Sequence, residues 1–286
     1  MRPRLRGPLA VALAAVLLVG SAGLAAERWL LPAGGDDVLT LVLLGSDEGP
    51  TRSENPRVGR ADGFQLLFVS ADRQHATFVS IPRDSWVGIP GRGNNRINAC
   101  LVAGPQTCVA TAEAEFGLEV DGYFLSSMRG FANAIDAFGG IAVDVPTPVF
   151  DGGHDIPSTG VQELTGLQAL TYARDRKHRP RGDFDRSAAQ AELLAIAHSD
   201  VVAASDIRAV LDAATVLRRH SETDLSGPEL VRLAFEAMHL PPENVQRVLA
   251  PARLGQAGAA SVVFLEPVAY ELIRDAAEDA RVDVED

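Results

Sequence analysis

The chain has 286 residues, of which 47% are hydrophobic and 22% are charged, and its formal net charge is -12 at pH 7. These proportions are typical of a folded protein and exclude an intrinsically disordered one. The acidic balance also argues against a general nucleic-acid-binding protein, whose surface would be broadly basic.

The N-terminal residues predict a membrane anchor. Three arginines within residues 1–7 precede an uncharged apolar run at residues 8–26, which is about long enough to cross a bilayer. Positive charge before such a run favours a cytoplasmic N-terminus. A cleaved signal peptide is the alternative, but the length of the run favours an uncleaved signal-anchor. We therefore expect a single-pass membrane protein with a linker at residues 27–37 and an extracytoplasmic domain at residues 38–286.

Strand and helix patterns alternate along this domain. Strands are expected at Val38–Gly45, Phe64–Ser70, Ala76–Ile81, Tyr123–Leu125, Ile141–Val145, Val245–Ala250 and Ser261–Leu265. Helices are expected at Arg96–Ala103, Thr107–Phe116, Ser127–Ala137, Leu164–Ala173, Asp185–Ala204, Asp206–His220, Gly227–Met238 and Glu266–Ala280. Because the two types alternate, we predict a single mixed-sheet α/β/α domain with helices on both faces.

Three local features add detail to this prediction. The first strand is continuously apolar, which predicts a central position in the sheet. Only a short turn separates the second and third strands, so these two are expected to form a hairpin. Thr159 or Thr165 is the candidate cap of the helix that follows.

The only two cysteines, Cys100 and Cys108, lie close together in the sequence. In an exported chain, such a pair predicts a disulfide that closes a short loop. Two free buried thiols are the alternative. No histidine lies at zinc-ligand spacing from either cysteine, so the pair makes a poor zinc site.

A basic run at residues 171–190 stands out in an acidic chain. Its cationic residues are Arg174, Arg176, Lys177, Arg179, Arg181 and Arg186. The planar fork of arginine matches the oxygens of phosphate, and the run straddles a predicted helix start, which offers free backbone N–H groups. Gln190 lies four residues after Arg186 and is expected on the same helix face. A solvated surface loop without a ligand is the alternative.

Two further clusters follow predicted strands. Asp47 lies after the first strand, with Arg60 and Asp62 a loop away, and Arg83 and Asp84 follow the third. Paired carboxylates beside phosphate are a common way to hold Mg²⁺ or Mn²⁺, and Arg83 could clamp a phosphate. Turn-forming aspartates and surface ion pairs are the alternative interpretation of both clusters.

Seven segments in order resemble the signature segments of the LytR-CpsA-Psr family. They are LVLLGSD (Leu41–Asp47), R-x-D (Arg60–Asp62), SIPRDSWVGIPG (Ser80–Gly91), RINAC (Arg96–Cys100), DAFGGIAVDV (Asp136–Val145), ELTGLQALTYARDR (Glu163–Arg176) and DFDRSAAQ (Asp183–Gln190). The resemblance covers residues 38–204. It implies a membrane-anchored enzyme that transfers a glycopolymer from a polyprenyl-pyrophosphate carrier to peptidoglycan in the cell wall, with a divalent metal, Mg²⁺ or Mn²⁺, as cofactor.

The resemblance also implies roles for individual residues. The lipid tail would lie in an apolar groove or tunnel, with its pyrophosphate on arginines at the mouth. Asp47 and Asp62 resemble the metal-binding carboxylates, and together with Arg83 they are the implied catalytic residues. The implied pyrophosphate-binding residues are Arg60, Arg83, Arg174, Arg176, Arg186 and Gln190.

The chain departs from the family pattern at two positions. Gly63 stands where a threonine is usual, and Ala189 stands where an arginine is usual. The first change removes a hydroxyl beside the predicted metal site, and the second removes a positive charge. Two alternatives to the transferase therefore stay open. One is a hydrolase that uses water as the acceptor, and the other is a non-catalytic protein of the cell envelope that binds the lipid carrier.

Overall fold

A six-stranded mixed sheet organises the computed structural model, which describes residues 37–47, 59–204 and 207–283. Its strands are β1 (Leu39–Ser46), β2 (Ala61–Val69), β3 (Ala76–Ser80), β6 (Gly122–Ser126), β9 (Ser221–Thr223) and β10 (Val245–Leu249). They lie in the order β10-β3-β2-β1-β6-β9. The pairs β1–β6 and β3–β10 are parallel and the other three are antiparallel. The predicted hairpin of β2 and β3 and the central position of β1 are confirmed.

Three antiparallel strand pairs lie outside this sheet: β4 (Trp86–Ile89) with β5 (Gly93–Arg96), β7 (Ile141–Val145) with β8 (Gly160–Leu164), and β11 (Ala252–Ala257) with β12 (Ala260–Leu265). The helices are α1 (Pro105–Phe116), α2 (Met128–Phe138), α3 (Gly166–Arg174), α4 (Asp183–Ala204), α5 (Ile207–His220), α6 (Gly227–His239) and α7 (Pro267–Asp279). The segment predicted as a helix at Arg96–Ala103 is a 3-10 helix at Ile97–Ala103. Thr165, not Thr159, caps α3, because its hydroxyl accepts the Gln168 N–H in a capping box.

The two faces of β1 and β2 meet different layers. Even-numbered residues such as Val42, Leu44 and Phe64 pack in a core with the 3-10 helix, α1 and α7. Odd-numbered residues such as Leu41 and Leu43 face a space covered by α2, α3, α4 and α6. This alternation follows from the two-residue period of a strand. It confirms the prediction of a single mixed α/β domain with helices on both faces.

The described residues all lie in one compact unit, Asp36–Asp286. None of the helices formed by these residues is long and apolar enough to cross a membrane. The predicted anchor at residues 8–26 lies outside the described residues, as do residues 1–7 and all of the linker but Asp37. These assignments stay predictions.

Cys100 and Cys108 form a disulfide that joins the 3-10 helix to α1. Both side chains are fully buried in the core beneath β1 and β2. The predicted pairing is therefore present.

We expect loss of this disulfide to lower the free energy of unfolding by about 2–3 kcal/mol, because the crosslink closes a short loop in the unfolded chain. Urea denaturation of the oxidised protein, the reduced protein and the Cys100→Ala/Cys108→Ala variant would measure the change. A difference below about 0.5 kcal/mol would contradict a stabilising role, since the entropy of closing this loop in the unfolded chain corresponds to a much larger loss.

Candidate functional site

The end of β1 and the start of β2 bring Asp47 and Asp62 to one edge of the sheet. Ser46 pairs with Ala61 across a register shift, so each aspartate directly follows one member of this pair. The backbone N–H of Arg60 donates to Asp47 Oδ1 at 2.6 Å, and the Asp47 N–H donates to the Arg60 carbonyl at 2.8 Å. Arg60 itself is exposed. The structure thus joins Asp47, Arg60 and Asp62 at one place, as the sequence predicted.

Asp62 belongs to a partly buried ionic cluster with Arg83, Asp183 and Arg186. Arg83 Nη1 donates to Asp62 Oδ1, and its Nε lies 3.9 Å from Asp183 Oδ1. Arg186 Nη2 lies 2.9 Å from the same Asp183 oxygen and donates to the Asp62 backbone carbonyl at 3.4 Å. Arg186 is only 2% exposed. Because this cluster joins β2, the segment after β3 and the start of α4, it fixes the relative positions of its guanidinium groups.

Burial and charge act in opposite directions on the two arginines. Burial lowers the pKa of Arg186, and the charges of Asp183 and Asp62 only partly oppose this. Burial also acts to lower the pKa of Arg83, but Asp62 outweighs it and the net pKa is raised. The buried Nε atoms of both arginines have no hydrogen-bond partner among the described residues. Both carboxylate oxygens of Asp183 are likewise buried without a hydrogen-bond partner among the described residues, so the charges of the cluster balance without ideal hydrogen bonds.

The remaining predicted arginines lie around this cluster. Arg176 is half-exposed, with Nη1 3.9 Å from Asp183 Oδ1. Arg174 is exposed at the end of α3 and has no ion-pair partner among the described residues. Gln190 shares the face of α4 that carries Arg186, as predicted, and its amide donates to the Ala173 carbonyl at 3.3 Å.

An apolar cavity of about 390 Å³ opens beside these residues. It lies between the odd-numbered face of β1 and β2 and the helices α2, α3, α4 and α6. Its deep lining is apolar and includes Leu41, Leu67, Phe131, Leu193, Leu233 and Leu240. Its polar end carries Ser46, Asp62, Arg174 and Gln190. The cavity thus joins a hydrocarbon-like interior to a cationic mouth.

The donor set at the strand ends fits a divalent cation that a substrate helps to hold. Among the described residues, no three His, Cys, Asp or Glu side chains are grouped to hold a metal ion on their own. Mg²⁺, however, binds proteins through one or two carboxylates and takes other ligands from water and substrate phosphates. Asp47 and Asp62 each bond to this chain through Oδ1. A second oxygen of each carboxylate is therefore the candidate metal ligand.

The two departures from the family pattern have different surroundings. A Cβ atom added to Gly63 would lie 2.9 Å from Gln190 Oε1, so the Gln190 amide occupies the space that a threonine side chain would need. Ala189 is buried and packs near Tyr172 and Val149. Its small side chain lines a second cavity, separate from the apolar one.

Sequence reasoning missed the central role of Asp183. Its carboxylate lies within 4 Å of Arg83, Arg176 and Arg186, so it organises three of the predicted arginines. The only signal was an aspartate three residues before an arginine at a helix start, which is common on solvated helices. The first turn of α4 also carries Asp185, which pairs with Arg181 at 2.7 Å. These carboxylates would compete with any anion at the N-terminus of α4.

Tyr172 holds the loop after α3 in place. Its hydroxyl donates to Glu192 Oε2 at 2.9 Å, and the Arg179 guanidinium stacks 4.5 Å from its ring centroid. Burial, followed by the negative charge of Glu192, raises the pKa of Tyr172 to about 12.

The raised pKa predicts a loss of stability at high pH. The folded state favours the neutral phenol, so this contribution is complete below pH 10, the ordinary value, and is lost as the pH rises toward about 12. We expect the unfolding free energy of wild type to exceed that of Tyr172→Phe by an amount that shrinks across this interval. Urea denaturation at a series of pH values would measure it. A difference that does not change with pH would contradict the assigned pKa.

Comparisons with known proteins agree with this fold. The model of the LytR_cpsA_psr family matches residues 30–275. A polyisoprenyl-teichoic acid–peptidoglycan teichoic acid transferase, TagU of Oceanobacillus iheyensis, is 33% identical over 204 residues, which are 69% of this chain and 62% of that protein. LcpB of Corynebacterium glutamicum, a probable cell wall biosynthesis protein, is 39% identical over 138 residues, or 47% of this chain and 33% of that protein.

The chain thus spans less than two thirds of the length of these two relatives. Among solved structures, Bacillus subtilis TagV superposes with a TM-score of 0.72 at 23% identity, covering 85% of this chain and 96% of that one. This likeness shows the same fold. Since the family model covers most of the sequence, the chain belongs to the LytR-CpsA-Psr family.

Proposed function

We propose that the protein transfers a glycopolymer from a polyprenyl-pyrophosphate carrier to peptidoglycan. The observation that carries the proposal is the apolar cavity whose mouth bears Asp62, Arg174 and Gln190 beside the Arg83–Arg186 cluster. An amphiphile with a long apolar tail and a compact anionic head matches this arrangement. The name of the Oceanobacillus relative, a teichoic acid transferase acting on a polyisoprenyl carrier, agrees with it.

The cavity would hold the prenyl chain. Its lining comes from the sheet and from the helices that cover one face of it. Moving the prenyl chain out of water into this cavity would therefore be favourable by about 25 cal/mol for each Å² of apolar surface that is buried. Arg174, the only arginine or lysine in the lining, lies at the end where Asp62 and Gln190 are, whereas Glu236 and His198 line the part away from it, so an anionic head is favoured at the Arg174 end. The head group would therefore lie at the edge where β1 ends and β2 begins.

The arginines would bind the pyrophosphate and stabilise charge during transfer. In phosphoryl transfer, positioned cations stabilise the charge on the phosphoryl oxygens, and little covalent chemistry is left to the protein. Arg83 and Arg186 are held by Asp62 and Asp183, so they need little rearrangement during the reaction. Arg174 and Arg176 are exposed enough to close on the head group, and Arg60, next to Asp47, is exposed as well.

The proposed transfer step is a displacement at phosphorus. An acceptor hydroxyl on peptidoglycan attacks the phosphorus that bears the glycopolymer, and its proton passes to a carboxylate. We assign this role to Asp47, because its partner is a backbone N–H, whereas Asp62 is committed to Arg83. The bond from that phosphorus to the bridging oxygen breaks, and prenyl phosphate leaves with the electron pair. Asp62, with water and the substrate phosphates, would hold Mg²⁺ or Mn²⁺, which would supply charge neutralisation at the pyrophosphate, while Asp47 acts as the base.

This assignment places the domain outside the cell membrane, where peptidoglycan lies. We propose that residues 8–26 anchor it there, with residues 1–7 in the cytoplasm. The anchor would keep the protein at the membrane that also holds the lipid carrier.

A transfer assay tests the proposal. The full-length chain is incubated with a polyprenyl-pyrophosphate-linked oligosaccharide and peptidoglycan fragments, with and without Mg²⁺, and mass spectrometry follows the sugar. Glycan phosphate joined to peptidoglycan, with prenyl phosphate released, is the expected result. Released glycan phosphate without attachment would indicate the hydrolase instead. Bound but unchanged substrate would indicate a binding protein.

A further inference from the structure

We propose that the second cavity, which the loop after α3 helps to line, binds a sugar unit of one of the glycan substrates. This cavity measures about 520 Å³, within the range of small-ligand sites. Helix α4, the loop after α3, strand β10 and the segment after β7 line it. It shares no lining residue with the apolar cavity described above.

Small side chains on α4 create the space. Ala188, Ala189 and Ala191 line the cavity, and the last two are almost completely buried, so nothing longer fills the volume in front of them. The packing around them is otherwise dense, with Val149, Tyr172 and Leu193 in the same core cluster. The result is an open pocket of the size of small-ligand sites, which suggests a ligand site.

The polar lining offers both donors and acceptors. Arg179 has a buried Nε that makes no hydrogen bond among the described residues but lies 3.8 Å from Asp175 Oδ2, and its guanidinium stacks on the Tyr172 ring. Arg247, on the β10 side, is exposed and has no ion-pair partner in the part of the chain that the structure describes. Glu192 and Asp175 add carboxylate oxygens. Sugar hydroxyls pair with donors and acceptors alike, which suits this lining.

Charge distinguishes this cavity from the pyrophosphate site. Two arginines line it, but so do Asp175, Asp185 and Glu192, and the Asp175 carboxylate is already paired with His178 Nδ1 at 2.8 Å. No excess of positive charge favours a phosphate, in contrast to the cluster around Arg83. The lining therefore matches an uncharged polar ligand better than an anion.

An exposed aromatic ring lies at the rim. Phe150 is 54% exposed, follows the lining residue Val149, and meets the His178 ring edge-on with centroids 6.2 Å apart. Aromatic rings give ligands a rigid apolar face, and the C–H face of a sugar ring packs well on one. The rim thus adds an aromatic face to a lining that is itself mixed polar and apolar.

The loop after α3 links the two sites. Arg174 and Arg176 belong to the proposed pyrophosphate site, whereas Asp175, His178 and Arg179 line the second cavity. A sugar bound there would lie next to the loop that carries the pyrophosphate-binding arginines. Identifying this sugar as part of the acceptor or donor glycan rests on the proposed function.

Ligand-detected NMR on the full-length chain tests the assignment. The probes are a muropeptide disaccharide for the acceptor and a hexosamine disaccharide 1-phosphate for the donor, and saturation-transfer titrations give the dissociation constants. Ala188→Leu fills the cavity and Arg247→Ala removes a donor, and we expect each to weaken binding at least tenfold. Ala195→Leu, on the same helix but outside the lining, is the matched control. The probe that binds more tightly identifies the source of the sugar.

Arg83→Ala separates this inference from the proposed function. This variant should keep wild-type affinity for the disaccharide even where transfer is lost, because Arg83 does not line the second cavity. Binding of neither probe, or binding that Ala188→Leu leaves unchanged, would overturn the sugar site whatever the transfer assay shows. Binding that depends on Ala188 and Arg247 would support the site even if transfer failed.

Discussion

Replacing Arg83 with alanine is expected to lower the rate of glycopolymer transfer by about 10²–10³-fold while the protein stays folded. The guanidinium lies between the carboxylates of Asp62 and Asp183, so its charge is fixed where the pyrophosphate would bind. Its buried Nε is an unused donor within the described residues. Arg83→Lys keeps a charge but loses the fork, so we expect it to recover only part of the rate.

The measurement is the transfer rate at saturating carrier, with far-ultraviolet circular dichroism as the check on folding. Arg92→Ala is the matched control, because Arg92 is an exposed arginine in the turn between β4 and β5. A wild-type rate in folded Arg83→Ala would remove Arg83 from the site. An equal loss in Arg92→Ala would show that the effect is not local.

Gly166→Ala is expected to lower the free energy of unfolding by about 3 kcal/mol or more, because overpacking between fixed backbones leaves no room to relax. A Cβ atom on Gly166 would overlap the backbone carbonyl oxygen of Ala132. The Gly166 N–H also donates to Asp136 Oδ1 at 2.7 Å, which holds α3 against α2 at this point. Both helices line the apolar cavity, so we expect transfer to fall as well.

Gly153→Ala is the control for this prediction. Gly153 has no atom within 4 Å of its added Cβ, and no left-handed backbone conformation that would strain an alanine. Urea denaturation should show it within about 0.5 kcal/mol of wild type, as for other surface substitutions. If Gly166→Ala changed the free energy of unfolding as little as Gly153→Ala, this would contradict the close approach of α2 and α3.

Much of the fold follows from local sequence patterns, but the weakest strands do not. Continuous apolar runs predicted β1 and β3, and the glycine pair after α2 predicted its end. Strands β4, β5, β8, β9 and β11 were missed, and β8 and β11 show why. Gly160–Leu164 alternates exposed and partly buried residues after a segment rich in glycine and proline, and Ala252–Ala257 has no β-branched residue. Their pairing with β7 and β12 is decided by tertiary contacts.

The residues of the site could largely be predicted from the sequence, but their arrangement in space could not. The arginines and aspartates were identified because basic residues are conspicuous in an acidic chain and because their segments resemble a known family. The apolar cavity was expected only from that resemblance, since Leu41 or Leu193 looks like any core residue in sequence. Asp183 could not be distinguished from a solvated helix residue until the structure placed three arginines around it.

The most direct test of the proposed function asks whether the lipid tail lies in the apolar cavity. A prenyl pyrophosphate with a photoreactive diazirine at the far end of its tail is bound to the full-length chain and irradiated, and the labelled peptides are sequenced by mass spectrometry. We predict labelling of α4 and α6 near Leu193, Leu233 and Leu240, and loss of labelling in Leu193→Trp, which fills the cavity. Labelling elsewhere on the surface, unaffected by Leu193→Trp, would contradict the account.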